Sequence, residues 1–105
     1  MDLRNKLRSG MIAVTTGEKY MVLTDCDTVN YGRQIFCLVN STGFMTGNTY
    51  REDLSYRTEY YSINALYGAT VNGGTYNMNC PKDKLIWTRE PKNLRELIVS
   101  RRFCK

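Results

Sequence analysis

Turn signals recur at short intervals through the first two thirds of this chain, and the stretches between them are too short for helices. Thr16-Gly17-Glu18-Lys19, Asn30-Tyr31-Gly32-Arg33, Ser41-Thr42-Gly43 and Gly47-Asn48 punctuate short runs rich in branched and aromatic residues. Such runs, bounded by Gly, Asn, Ser and Asp, read as strands of a small antiparallel sheet or barrel. Met11–Thr15 opens the first strand. Tyr20–Thr24 continues through Cys26 to the Asn30–Arg33 turn and returns as Gln34–Asn40. Phe44–Thr46 and Tyr60–Tyr67 complete a set of five. The fold expected is mainly β with minor α: an antiparallel SH3-like barrel over residues 10–67. A basic stretch at Asp2–Arg8 precedes it with one or two helical turns, and a polar loop spans Thr49–Glu59.

The remainder changes character. Gly68–Asn79 is dominated by Gly, Asn, Thr and Tyr, and Asn72-Gly73-Gly74 marks a turn, so 68–90 reads as a long loop or loose hairpin. Lys82–Thr88 supplies a sixth strand. Pro91 then stands where the first position of a helix favours proline, and Leu94, Leu97 and Ile98 recur at helical spacing through Phe103. This predicts a C-terminal helix over 91–103, packed on the barrel by those three residues. At 105 residues the chain is read as one domain.

Histidine is absent, which removes the commonest general base and the usual activator of a cysteine nucleophile. Glu52-Asp53 and Glu59 lie on a polar loop as turn carboxylates. Asn72-Gly73-Gly74-Thr75 lacks the Gly-Lys-Ser/Thr ending of a phosphate loop. A non-enzymatic protein is expected. The polar N-terminus lacks the apolar core of an export signal, and no apolar run reaches the roughly 18 residues of a membrane span. A cytoplasmic location is the corresponding expectation, with no membrane partner.

In that compartment the four cysteines are metal-ligand candidates. Taking Tyr31-Gly32 as a two-residue loop places Cys26 opposite Cys37, at the roughly 4.5–5.5 Å between Cβ atoms of facing residues. Cys80 and Cys104 would complete a structural zinc site. The gaps of ten, 42 and 23 residues include no two-residue knuckle, so four unconnected thiols and disulfides stay open beside zinc.

Charge divides the chain. Residues 11–80 hold four basic and six acidic residues, whereas 81–105 hold eight basic and three acidic. Arg95, Arg101 and Arg102 fall on the predicted helix and, with Trp87 and Phe103 nearby, are candidates for contacting phosphate or an acidic protein surface. The same arginines also suit a solvated helix face, and two of them suit the helix C-terminus. Tyr56 and Arg57, with Tyr50, Tyr60 and Tyr61 close in sequence, form an aromatic–cationic candidate for partner binding.

Residues 6–67 resemble small SH3-like barrel proteins of phages and prophages of Gram-positive bacteria. The likeness is carried by Leu7-Arg8-Ser9-Gly10-Met11-Ile12-Ala13-Val14, Thr16-Gly17-Glu18-Lys19-Tyr20-Met21-Val22, Tyr50-Arg51-Glu52-Asp53-Leu54 and Tyr61-Ser62-Ile63-Asn64-Ala65-Leu66-Tyr67. Residues 68–105 have no counterpart in it. The resemblance implies a phage protein without catalysis. Its category includes anti-defence factors, among them type II anti-CRISPR proteins that bind Cas9-type nucleases. The first expectation is therefore a steric inhibitor of a host nuclease or other nucleic-acid-handling protein. The alternative is a small basic module that binds DNA or RNA directly.

Overall fold

The computed structural model describes residues 2–72 and 74–89. They are mainly β. Six strands form one antiparallel sheet: β1 (Ile12–Thr15), β2 (Lys19–Thr28), β3 (Gly32–Asn40), β4 (Gly43–Thr46), β5 (Ile63–Tyr67) and, after a separate two-stranded hairpin of β6 (Val71–Asn72) and β7 (Thr75–Tyr76), β8 (Leu85–Thr88). The order across the sheet is β4-β3-β2-β1-β5-β8, so the first strand lies between the second and the fifth. Among the described residues the only helical pieces are short 3-10 turns, at Leu3–Lys6, Gly47–Thr49, Glu59–Tyr61 and Lys82–Lys84. The helix expected over 91–103, with Leu94, Leu97 and Ile98, lies outside the described residues.

Strand alternation sorts the apolar side chains onto two faces. On one, Ala13, Tyr20, Val22, Phe36, Leu38 and Leu66 meet Leu7 from the N-terminal segment and Tyr50 and Leu54 from the loop after β4. On the other, Ile12, Val14, Ala65 and Tyr67 pack with Met21 and are covered by Met78 and Cys80. The Lys19 ammonium donates to the Met78 carbonyl at 2.9 Å and fastens that cover. Asn64 is an extra residue in β5: Val14 pairs with Ala65, but Thr15 pairs with Ile63. This bulge turns Ile63 into the first core, where it is fully buried.

The β2–β3 hairpin corrects the expected register. Thr28 pairs with Gly32, so the loop holds Val29, Asn30 and Tyr31 rather than Tyr31 and Gly32. Gly32 takes φ 74°, the left-handed conformation that lets the chain leave the three-residue loop. The Thr28 hydroxyl accepts from the Tyr31 amide at 3.0 Å and donates to the Gly32 carbonyl at 2.8 Å. Consequently Cys26 opposes Gln34, and Cys37 opposes Leu23. Asp25 also adopts a positive φ of 57° in mid-strand, which an aspartate tolerates better than most residues. The Arg33 guanidinium spans Asp25 at 2.6 Å and Asp27 at 3.2 Å. At the tip, Tyr31 meets Phe44 of β4 edge-on, with centroids 6.2 Å apart.

Candidate partner-binding surface

The segment from Gly47 to Ser62 carries the candidate site, and its anchors are buried. Gly47 lies against β3 so closely that a Cβ there would collide with the Phe36 carbonyl and ring. Asn48 then substitutes for a neighbouring strand. Its side-chain carbonyl accepts from the Ile35 amide at 2.9 Å, and its amide donates to the Arg33 carbonyl at 3.0 Å. Its own backbone N–H donates to the Gln34 side chain at 3.0 Å. Three bonds from one residue fix where the loop leaves the sheet.

Tyr50 and Leu54 anchor the middle. Tyr50 is 2% exposed; its hydroxyl donates to the Tyr61 carbonyl at 2.7 Å. Leu54 adopts φ 68°, a costly conformation for a branched residue. It returns the chain so that the Arg51 amide donates to the Ser55 carbonyl at 3.0 Å while the Leu54 side chain is fully buried. The Asp53 carboxylate accepts from the Ser55 hydroxyl at 2.6 Å and from its amide at 3.0 Å. Those bonds, with the Arg89 charge nearby, hold its carboxyl below the usual carboxylate range.

Arg89, just after β8, clamps the loop from outside. Its guanidinium donates to the carbonyls of Asp53 and Ile63, both at 2.9 Å, and lies 5.4 Å from the Trp87 ring. Trp87 packs against the first core. Both residues are thus engaged within the fold, and Trp87 is half-buried.

Aromatic rings run from the core to the surface. Phe36 and Tyr50 have centroids 5.7 Å apart, Tyr50 and Tyr56 4.9 Å, Tyr56 and Tyr61 5.8 Å, and Tyr61 and Tyr60 5.0 Å. Tyr60 ends the series 45% exposed, with its ring seated over Gly17, where a Cβ would strike it. Tyr56 is half-buried and its amide donates to the Ser62 hydroxyl at 2.9 Å. The Arg57 guanidinium lies 6.0 Å from the Tyr56 ring centroid, within range of a cation–π contact. Thr49, Arg51, Tyr56 and Arg57 line an open groove at this corner.

Tyr56 and Arg57, singled out in the sequence, are therefore brought together on one surface. Arg51 and Thr49 join them unforeseen. The five-residue gap between the arginines carries no periodic signal, because the tight return at Leu54 sets their approach. Tyr50, read in the sequence as a surface neighbour of this group, is instead core. Arg95, Arg101 and Arg102 lie outside the described residues.

The cysteines are placed less simply. Cys26 neighbours Cys37 although the two are not cross-strand partners; burial first, then this neighbour, pushes the Cys37 thiol up. Cys80 belongs to the second core, its thiol directed at the Met78 carbonyl at 3.9 Å. Cys104 lies outside the described residues. Among the described residues no three His, Cys, Asp or Glu side chains gather where they could hold a metal ion. No described helix is long and apolar enough to cross a membrane. In comparison with known proteins, the chain matches no family model, no curated protein and no solved structure.

Proposed function

We propose that this chain is a non-enzymatic binding protein that docks a partner on the Tyr56–Arg57 corner. We propose further that the partner is a Cas9-type nuclease of a host defence complex, inhibited by steric blocking. The observation that carries the reading is the ring series from Phe36 to Tyr60, which holds Tyr56 rigidly beside Arg57 at the rim of an open groove. Tyrosine and arginine are the side chains most often found at binding hot spots, and rings already fixed lose little entropy on docking. The choice of partner rests on the resemblance of residues 6–67 to phage barrel proteins.

Two further features support this reading. A four-strand meander whose fifth strand returns beside the first is the connectivity of a small antiparallel barrel, in keeping with an SH3-like fold. The Asp53 carboxylate, on the loop that carries the groove, is engaged in structure rather than poised for proton transfer: it accepts from the Ser55 hydroxyl at 2.6 Å. The test is a cleavage assay with purified Cas9-type nuclease, guide and target. Inhibition should rise in proportion to the inhibitor-to-nuclease ratio, reach its limit near equivalence and leave both proteins intact. Tyr56→Ala should weaken it. Unimpaired cleavage would remove the partner, and inhibition far below equivalence would point to turnover.

A further inference from the structure

The groove at Thr49, Arg51, Tyr56 and Arg57 has a chemistry of its own, and from it we propose the class of segment it accepts: a carboxylate-bearing stretch of the partner protein. This rests on the reading of the corner as the partner-binding surface. Two guanidiniums line the groove, and neither forms an ion pair among the described residues. Arg51 spends one donor on the Ser55 hydroxyl at 3.3 Å. Each guanidinium carries five donors, so several remain to be met. The nearest acidic neighbours do not meet them. Asp53 is taken by Ser55 and faces Arg89 at 3.8 Å. A planar fork of N–H donors matches a carboxylate with two parallel bonds. The Tyr56 ring, braced by Tyr50 and Tyr61, offers an apolar wall for the stem or for a neighbouring side chain.

Nucleic acid fits this corner less well. A phosphate backbone needs a stripe of positive charge, with affinity accumulating contact by contact. Here two arginines line the groove, with Glu52, Asp53 and Glu59 flanking them along the chain. A short acidic stretch of protein suits such a site, where a phosphate backbone would find two guanidiniums rather than a stripe of charge.

The experiment uses the isotope-labelled full chain, with backbone amide resonances followed during titration with a hexaglutamate peptide at roughly physiological salt. The amides of Arg51, Tyr56 and Arg57 should shift saturably. Replacing both arginines (R51Q with R57Q) should weaken that binding about tenfold or more while leaving thermal stability unchanged. A short oligothymidine that saturates the same amides more tightly than the peptide would overturn the proposal in favour of nucleic acid. Unmoved groove amides in the peptide titration would overturn it outright. Should R51Q/R57Q abolish nuclease binding while hexaglutamate leaves the groove unmoved, the surface stands and the acidic class falls. Should the peptide titrate the groove while R51Q/R57Q binds the nuclease as before, the acidic class stands and the groove's use for that partner falls.

Discussion

Removing the Tyr50 hydroxyl separates the two jobs this residue does. Its ring fills the core between Phe36 and Tyr56, and its hydroxyl ties the Tyr61 carbonyl at 2.7 Å, with the Met45 sulfur at 3.7 Å. Tyr50→Phe keeps the ring and deletes the tie, which should cost about 1 kcal/mol, rising toward ~2 where the abandoned carbonyl stays dry. In a domain of this size each kcal/mol lowers Tm by about 4–8 °C. Tyr50→Ala also removes the ring and opens a cavity against Phe36, for a loss of about 3–5 kcal/mol. Against a total stability of roughly 5–15 kcal/mol, that threatens folding itself. Urea denaturation followed by circular dichroism measures both, and Tyr50→Phe should shift the midpoint without changing the slope. Partner binding should survive Tyr50→Phe, because Tyr56 keeps its neighbour. A Tyr50→Phe protein as stable as the parent would refute the argument, since it would leave the hydroxyl without an energetic role.

Three further outcomes follow from the same geometry. Gly47→Ala should destabilise by about 1–3 kcal/mol or more, because the methyl collides with backbone at Phe36 and not only with a movable ring; urea titration reads it. Burial pushes the Tyr50 phenol up, and burial together with Glu18 does the same for Tyr20. Both folded values lie above the ordinary value near 10, so their contribution is fully present below that pH and is lost as pH rises beyond it. Thermal melts across the alkaline range should show this decline. Cys37 is 4% exposed and its thiol is pushed up, whereas Cys26 is half-buried; iodoacetamide should label Cys26 well before Cys37, as mass spectrometry of the digested protein will show.

What could be read from the sequence follows where its local signals and its tertiary contacts agree. The strands from β1 to β5 were legible because each is a short apolar run bounded by turn signals, and Lys82–Thr88 yielded both a 3-10 turn and β8. The β2–β3 register was not, because Asn-Tyr-Gly serves a two-residue loop as well as a three-residue loop closed by a left-handed glycine. That ambiguity displaced Cys26 from Cys37 as a direct partner. Nor did Thr49–Glu59 announce its core residues. Tyr50 and Leu54 are four apart in a polar stretch, and burying both depends on the strained return at Leu54, which no pattern encodes. The bulge at Asn64 is equally silent, since only pairing with Thr15 reveals it. Tyr56 and Arg57 were found by composition, and Arg51 only by the loop that carries it to them.

The most direct test of the account is hydrogen–deuterium exchange on the full chain, alone and mixed with a Cas9-type nuclease at equimolar ratio. Protection concentrated in the segment 49–57, with β1 and β5 unchanged, is the result the account predicts. Protection confined to the β2–β3 tip around Tyr31, or none at all, would contradict it.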